Sequence, residues 1–283
     1  MTADPSPLTT GPAPSKPRLR RRILLILLLI LLALLVKFIL HLLLPRNYAG
    51  SGETLPLKLE SGDFSTLYYS GTEAPLGIVI VGTGDGGWSY WEERVAKHLA
   101  GKNYAVGGWD CRKFADTRSF NQSQLAAAWT AAAAAVRERA GLPEDAPVWY
   151  GGWSTGAEWA AAAAADPARP DSFAGLLLAA PGERSRYGLT KGDLLGLNPT
   201  GPGTFALADL APQLTDVPVA QFSAGLDPLD DATWLEQLKS PHRLIPISGV
   251  LHDMDGAGGK FLAEWDRAME WTLSARTAPP LPP

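Results

Sequence analysis

The sequence predicts an α/β fold, a mostly parallel sheet covered by helices on both faces, preceded by an N-terminal transmembrane helix. Three observations carry that prediction. Continuous apolar runs at residues 76–81, 104–109, 148–151, 173–180, 217–224 and 243–247 have strand length. Segments of helical character at 88–99, 122–140, 155–165, 230–238 and 258–273 are interleaved with them. Buried strands alternating with amphipathic helices require a parallel sheet with both faces covered. Finally, the run at 23–44 is apolar for long enough to span a bilayer.

Residues 1–15 are rich in Pro, Thr and Ala without an apolar period, which predicts disorder; with the cations that follow they form a basic tail, 1–22. The span at 23–44 is interrupted only by Ala33, Lys37 and His41. Lys16, Arg18, Arg20, Arg21 and Arg22 precede it, and only Arg46 and Lys58 follow nearby, so the N-terminus is expected in the cytoplasm and the remainder outside. Lys37 lies near enough to the outer end to extend its ammonium to the headgroups. The alternative is a cleaved signal peptide, for which Tyr48-Ala49-Gly50 is a weak cleavage site; the apolar stretch exceeds a typical signal h-region.

After a linker at 45–53, one domain is expected at 54–276, and 277–283 is a Pro-rich tail. Leu55, Leu57 and Leu59 alternate with polar residues, Ser61-Gly62-Asp63 turns the chain, and 64–69 returns, giving an opening hairpin. The helix at 88–99 aligns Trp91, Val95 and Leu99 on one face and is closed by Gly101. Alanine runs at 126–128, 131–135 and 160–165 read as close-packing helix, because Ala has the best helix propensity. Residues 182–215 are rich in Gly, Pro and Leu and too long for an ordinary connection. A hairpin feeding a parallel sheet is the order of the α/β-hydrolase fold, and this insertion sits where that fold carries its cap.

With a formal charge of −4 and a pI near 5.6, the chain has no basic field for a nucleic acid. Its single cysteine, Cys111, excludes an intrachain disulfide and a cysteine-rich zinc cluster.

Gly152-Trp153-Ser154-Thr155-Gly156 matches G-x-S-x-G between an apolar strand and a helix, the context of a nucleophile elbow. The glycines permit a tight turn that exposes the Ser154 hydroxyl at a helix N-terminus, and the Thr155 N–H is placed to face an oxyanion. A serine needs a base oriented by a carboxylate, here in the order Ser, acid, His. His252 follows the last strand, whereas His41 lies in the apolar span, His98 on an earlier helix and His242 at the start of a strand. Asp227 is the acid closest to the end of the strand at 217–224; Asp230 is the alternative and can equally cap a helix. The loop Gly82-Thr83-Gly84-Asp85-Gly86-Gly87-Trp88 lacks the endings of phosphate-binding loops, and the Asp85 N–H is expected as second oxyanion donor. This chemistry calls for no metal or organic cofactor. The competing class is a non-catalytic binding protein of the same fold.

Gly84-Asp85-Gly86-Gly87-Trp88, Trp109-Asp110, the elbow and His252 together resemble the VirJ/AcvB bacterial virulence-protein family, over roughly residues 76–273. The resemblance implies an α/β-hydrolase exported to the periplasm, held here at the inner membrane by residues 23–44. It also implies action on aminoacylated phosphatidylglycerol and an association with type IV secretion and envelope proteins. The chain departs from the family in Trp153 and Thr155, where Tyr and Phe are usual, and in its anchor. For such a lipid, Arg184, Arg186 and Lys191 in the insertion suit the phosphate, and Asp85 and Glu158 the ammonium; the plainer role of the three cations is a solvated face, and that of the two acids is to serve a turn and a helix.

Overall fold

A computed structural model describes residues 16–44, 48–227 and 230–277. The tail predicted at 1–15, Arg46, and residues 278–283 of the tail predicted at 277–283 lie outside the described residues, while Thr277 closes the last helix. The chain divides into two units, residues 1–42 and 43–283. In the first, helix α1 (Lys16–Leu43) carries a 20-residue window of mean hydropathy 3.4 with none of it buried. Its 28 residues rise about 42 Å. It is long and apolar enough to cross a membrane.

The second unit is built on an eight-stranded sheet of order β1-β2-β4-β3-β5-β6-β9-β10. The opening hairpin is β1 (Glu53–Leu59) and β2 (Gly62–Tyr69), and β2 is the antiparallel neighbour of β4 (Ala105–Trp109). From β4 onward every pairing is parallel, through β3 (Ile78–Gly82), β5 (Val148–Trp153), β6 (Phe173–Ala179), β9 (Val219–Ala224) and β10 (His242–Ile247). Strands β3 to β6 are buried throughout, so their continuous apolar runs have a physical cause in two covered faces.

Strand alternation divides the core in two. Ile78, Ile80 and Tyr150 face the layer of α4 (Gln122–Ala140) and α5 (Thr155–Ala164), with Trp129 and Trp159. Val79, Val81 and Trp149 face α2 (Tyr90–Gly101) and α8 (Gly259–Thr277), with Trp91, Phe261 and Trp265. All ten residues of α5 are buried, and its alanines let it pack closely against both the sheet and the neighbouring α4. Trp91, Val95 and Leu99 are buried along one face of α2, as its period predicts. That helix opens with a Ser89–Glu92 capping box, which contributes about 1 kcal/mol.

Two segments differ from expectation. Residues Cys111–Thr117 form a further helix, α3, capped by Asp110 and too short to show an apolar period. The helix predicted at 230–238 is a single 3₁₀ segment, Thr233–Gln237. Asp230 turns inward to the end of β9 and Asp231 accepts from Thr233, so their side chains hold the backbone away from a longer helix. The insertion contains the two-stranded pair β7 (Arg184–Arg186) and β8 (Thr204–Ala206), with the short helices α6 (Lys191–Leu194) and α7 (Leu207–Leu210).

Candidate active site

Ser154 stands between β5 and α5 with φ 53° and ψ −125°, a left-handed conformation that costs a non-glycine residue about 1–3 kcal/mol. The flanking glycines allow it because three backbones meet there. A Cβ on Gly156 would lie 2.3 Å from the Gly82 carbonyl, and one on Gly152 would lie 2.6 Å from the same oxygen. The Ser154 N–H donates to Ala179 O at 2.9 Å, and its carbonyl accepts from Ala157 and Glu158, so the turn is locked on both sides. The Thr155 amide belongs to the first turn of α5, where no intrahelical acceptor exists.

The glycine-rich loop beside the elbow is equally tied. The Thr83 hydroxyl donates to Gly84 O and accepts from the Cys111 N–H, Gly87 takes φ +85°, and the Trp88 N–H donates to Asp110 Oδ2. The Trp88 indole donates to Glu93 at 3.1 Å, alongside Tyr69 Oη, Ser51 and Lys97. Burial pushes the Glu93 carboxyl up, but the hydrogen bonds from Ser51, Tyr69, Trp88 and Lys97 outweigh it and hold the group at about 2. This carboxylate hub joins the start of the domain to the loop carrying Asp85; its role was not visible from the spacing of the sequence.

His252 and its acid come from loops after β9 and β10, which are joined by Gly225 N–H to Ile247 O and Leu226 N–H to Val250 O. His252 Nδ1 lies 2.5 Å from Asp227 Oδ2; the Asp227 side chain is 2% exposed and the His252 side chain 33%. The Trp153 indole N–H donates to the His252 carbonyl at 2.6 Å, which brings the histidine loop against the residue preceding Ser154. Of the two acids left open by the sequence, Asp227 is therefore the one paired with His252. Asp230 instead accepts from Ala224 N–H at 2.5 Å and from the Gln221 amide at 3.1 Å. Burial pushes its carboxyl up to about 6. His98 pairs with Asp266 on α8.

Glu158, four residues beyond Ser154 on α5, is 7% exposed. It accepts from the Gly182 N–H at 2.9 Å and from Ser185, and burial pushes it up to about 7 against those bonds. It thus ties α5 to the root of the insertion, the structural one of its two expected roles, in place of an acid presented to a substrate ammonium. Arg186 needs correction as a phosphate ligand. Its guanidinium pairs with Asp193 and donates to the carbonyls of Thr200 and Pro202, closing the insertion on itself. Arg184 is half-buried in β7, and Lys191 is exposed at the start of α6.

No family model matches the sequence, and no curated protein matches it. Among solved structures, a dienelactone hydrolase from Anabaena variabilis is 20% identical, with TM-score 0.57 over 80% of this chain and 99% of that one. The esterase domain of a Rhodothermus marinus protein is 11% identical, with TM-score 0.56 over 78% of this chain and 98% of that one. An α/β serine hydrolase homologue from Coxiella burnetii is 16% identical, with TM-score 0.54 over 81% of this chain and 99% of that one. The chain has the α/β-hydrolase fold, with Ser154, Asp227 and His252 at the C-terminal ends of its strands.

Proposed function

We propose that this protein is a membrane-anchored serine hydrolase that cleaves carboxylic esters. The observation that carries the reading is the 2.5 Å pair of His252 Nδ1 and buried Asp227, tied through Trp153 to a serine in the strained conformation of a nucleophile elbow. The Asp227 carboxylate accepts from the Nδ1–H and keeps the proton on that nitrogen, so that Nε2 takes the Ser154 proton as Oγ attacks the ester carbonyl. The Thr155 and Asp85 amides stabilise the oxyanion, His252 returns the proton to the departing alkoxide, and water then hydrolyses the acyl-serine by the same route.

Within that class, the substrate is an aminoacylated lipid such as lysyl-phosphatidylglycerol, cleaved to the amino acid and the phosphatidylglycerol. The resemblance to the VirJ/AcvB family supports this. The apolar helix at the N-terminus adds physical support, since an inner-membrane anchor with a periplasmic domain holds the site among headgroups. Lys191 and Arg184 remain available to a lipid phosphate.

The test is labelling by a fluorophosphonate, followed by incubation with vesicles containing lysyl-phosphatidylglycerol. Wild type is labelled on Ser154 and releases lysine, and Ser154→Ala does neither. Labelling that persists unchanged in Ser154→Ala overturns the nucleophile. Hydrolysis of simple esters without lysine release overturns the lipid substrate alone.

A further inference from the structure

One side chain touches all three parts of the candidate site. Trp153 is joined through the chain to Ser154, and its indole N–H donates to the His252 carbonyl at 2.6 Å. Its ring lies against Gly84 of the oxyanion loop so closely that a Cβ there would fall 2.7 Å from it. The Trp153 and His252 rings are 5.2 Å apart, and Trp91 supports the indole from α2 at 5.8 Å.

The histidine loop needs such a tie. Gly249 has φ +77° and Met254 φ +54°, the latter a conformation that strains a long side chain. Val250 and Met254 are buried and pin the loop at its two ends, but Leu251 between them is 60% exposed. At its centre the loop is held on one side by the Asp227 carboxylate and on the other by the indole N–H. The indole bond acts on the His252 backbone, whereas the carboxylate acts on its ring.

We infer that Trp153 is a positioning residue that holds the general base and the oxyanion loop in register with the nucleophile; this rests on the serine-hydrolase reading above. Displacing a reacting group by about 1 Å costs on the order of 100-fold in rate. Such a loss falls on kcat, because substrate binding does not need the base in its catalytic position.

The experiment compares full-length wild type with Trp153→Phe, which removes the indole N–H and keeps an aromatic ring against Gly84. The expected result is a fall of about 10- to 100-fold in kcat with KM within about twofold. The low-field proton resonance of the His252–Asp227 pair shifts or broadens, and far-ultraviolet circular dichroism and a cooperative urea transition stay native. Gly84→Ala, which pushes on the indole from the opposite side and leaves its N–H in place, perturbs the same resonance. An unchanged kcat and an unchanged resonance in Trp153→Phe overturn the proposal. So does a fall in kcat with the resonance intact, which would mark a general loss of packing. If wild type is neither labelled on Ser154 nor active on esters, the hydrolase reading fails, and the resonance still decides whether Trp153 positions His252.

Discussion

The two ends of the central sheet are made to different rules. At the C-terminal ends of the strands, Ser154, Ala180 and Met254 all take positive φ without being glycine. Two carboxyls there, buried Glu158 and half-buried Asp230, are pushed up to about 7 and about 6 by loss of solvent. At the N-terminal ends the positive-φ non-glycine position is Asn103, a residue type that accepts the left-handed region readily. Two arginines there serve turn carbonyls: Arg276 donates to Ser172 O and Asp171 O, and Arg169 to Ala164 O while pairing with Asp216. Backbone strain at non-glycine residues and carboxyls raised by desolvation collect at one end, and arginines bracing turns collect at the other. A strained arrangement persists only where surrounding packing overdetermines it, which is the expected mark of a site selected for function over stability.

The sharpest break of this contrast comes from the two aspartates at the C-terminal end. Asp227→Asn should lower kcat by about 10⁴-fold, because it presents the wrong hydrogen-bonding partner to His252 Nδ1. Asp230→Asn should cost less than about tenfold in kcat and appear mainly as about 1 kcal/mol of lost stability, since it braces the backbone at Ala224. Steady-state kinetics and urea unfolding on the pair check this, and equal losses of kcat would erase the distinction.

Glu158 sharpens the comparison through pH. Its folded value of about 7 lies above the ordinary 4.5, so the folded state holds this proton more tightly than the unfolded chain. Its contribution to stability is fully present below 4.5 and is lost as pH rises through about 7. Melting temperature measured across that window should fall in wild type and fall less steeply in Glu158→Gln. An identical slope in both proteins would show that this carboxyl does not titrate there.

The smallest effect on turnover is expected at the opposite end. Arg276→Met removes two donors from the turn at Asp171 and Ser172, and should cost about 1–3 kcal/mol in urea unfolding with kcat unchanged within about twofold. A large fall in kcat from that substitution would show that the two ends are mechanically coupled.

Much of the scaffold was legible because it depends on local pattern. Apolar runs marked the strands, and the period of Trp91, Val95 and Leu99 marked the buried face of α2. The strand-to-helix context of Gly152–Gly156 marked the elbow. Helix α3 escaped because seven residues carry too little periodicity, and the 3₁₀ segment at 233–237 escaped because side-chain bonds from Asp230 and Asp231 overrode the tendency to continue a helix. Arg186 read as a phosphate ligand or solvated charge, and Glu158 as a partner for an ammonium, because nothing in the residues around them reveals that Asp193, Gly182 and Ser185 return to meet them.

The sequence by itself determined the parallel sheet, the apolar N-terminal helix, the position of the strained serine and the histidine that follows the last strand, since each follows from hydrophobic period or from glycine's freedom over a few residues. Which acid meets that histidine, and which side chain ties its backbone, was decided only by tertiary structure. The parallel register of β9 and β10, with Ala224 opposite Ile247, sets two loops side by side although 25 residues separate Asp227 from His252. The indole that steadies them arrives from β5, 99 residues away from His252 in the chain. Hydrogen bonds reach only about 3 Å, so these pairings depend on where the packed sheet places each strand end, and no local pattern records that distance.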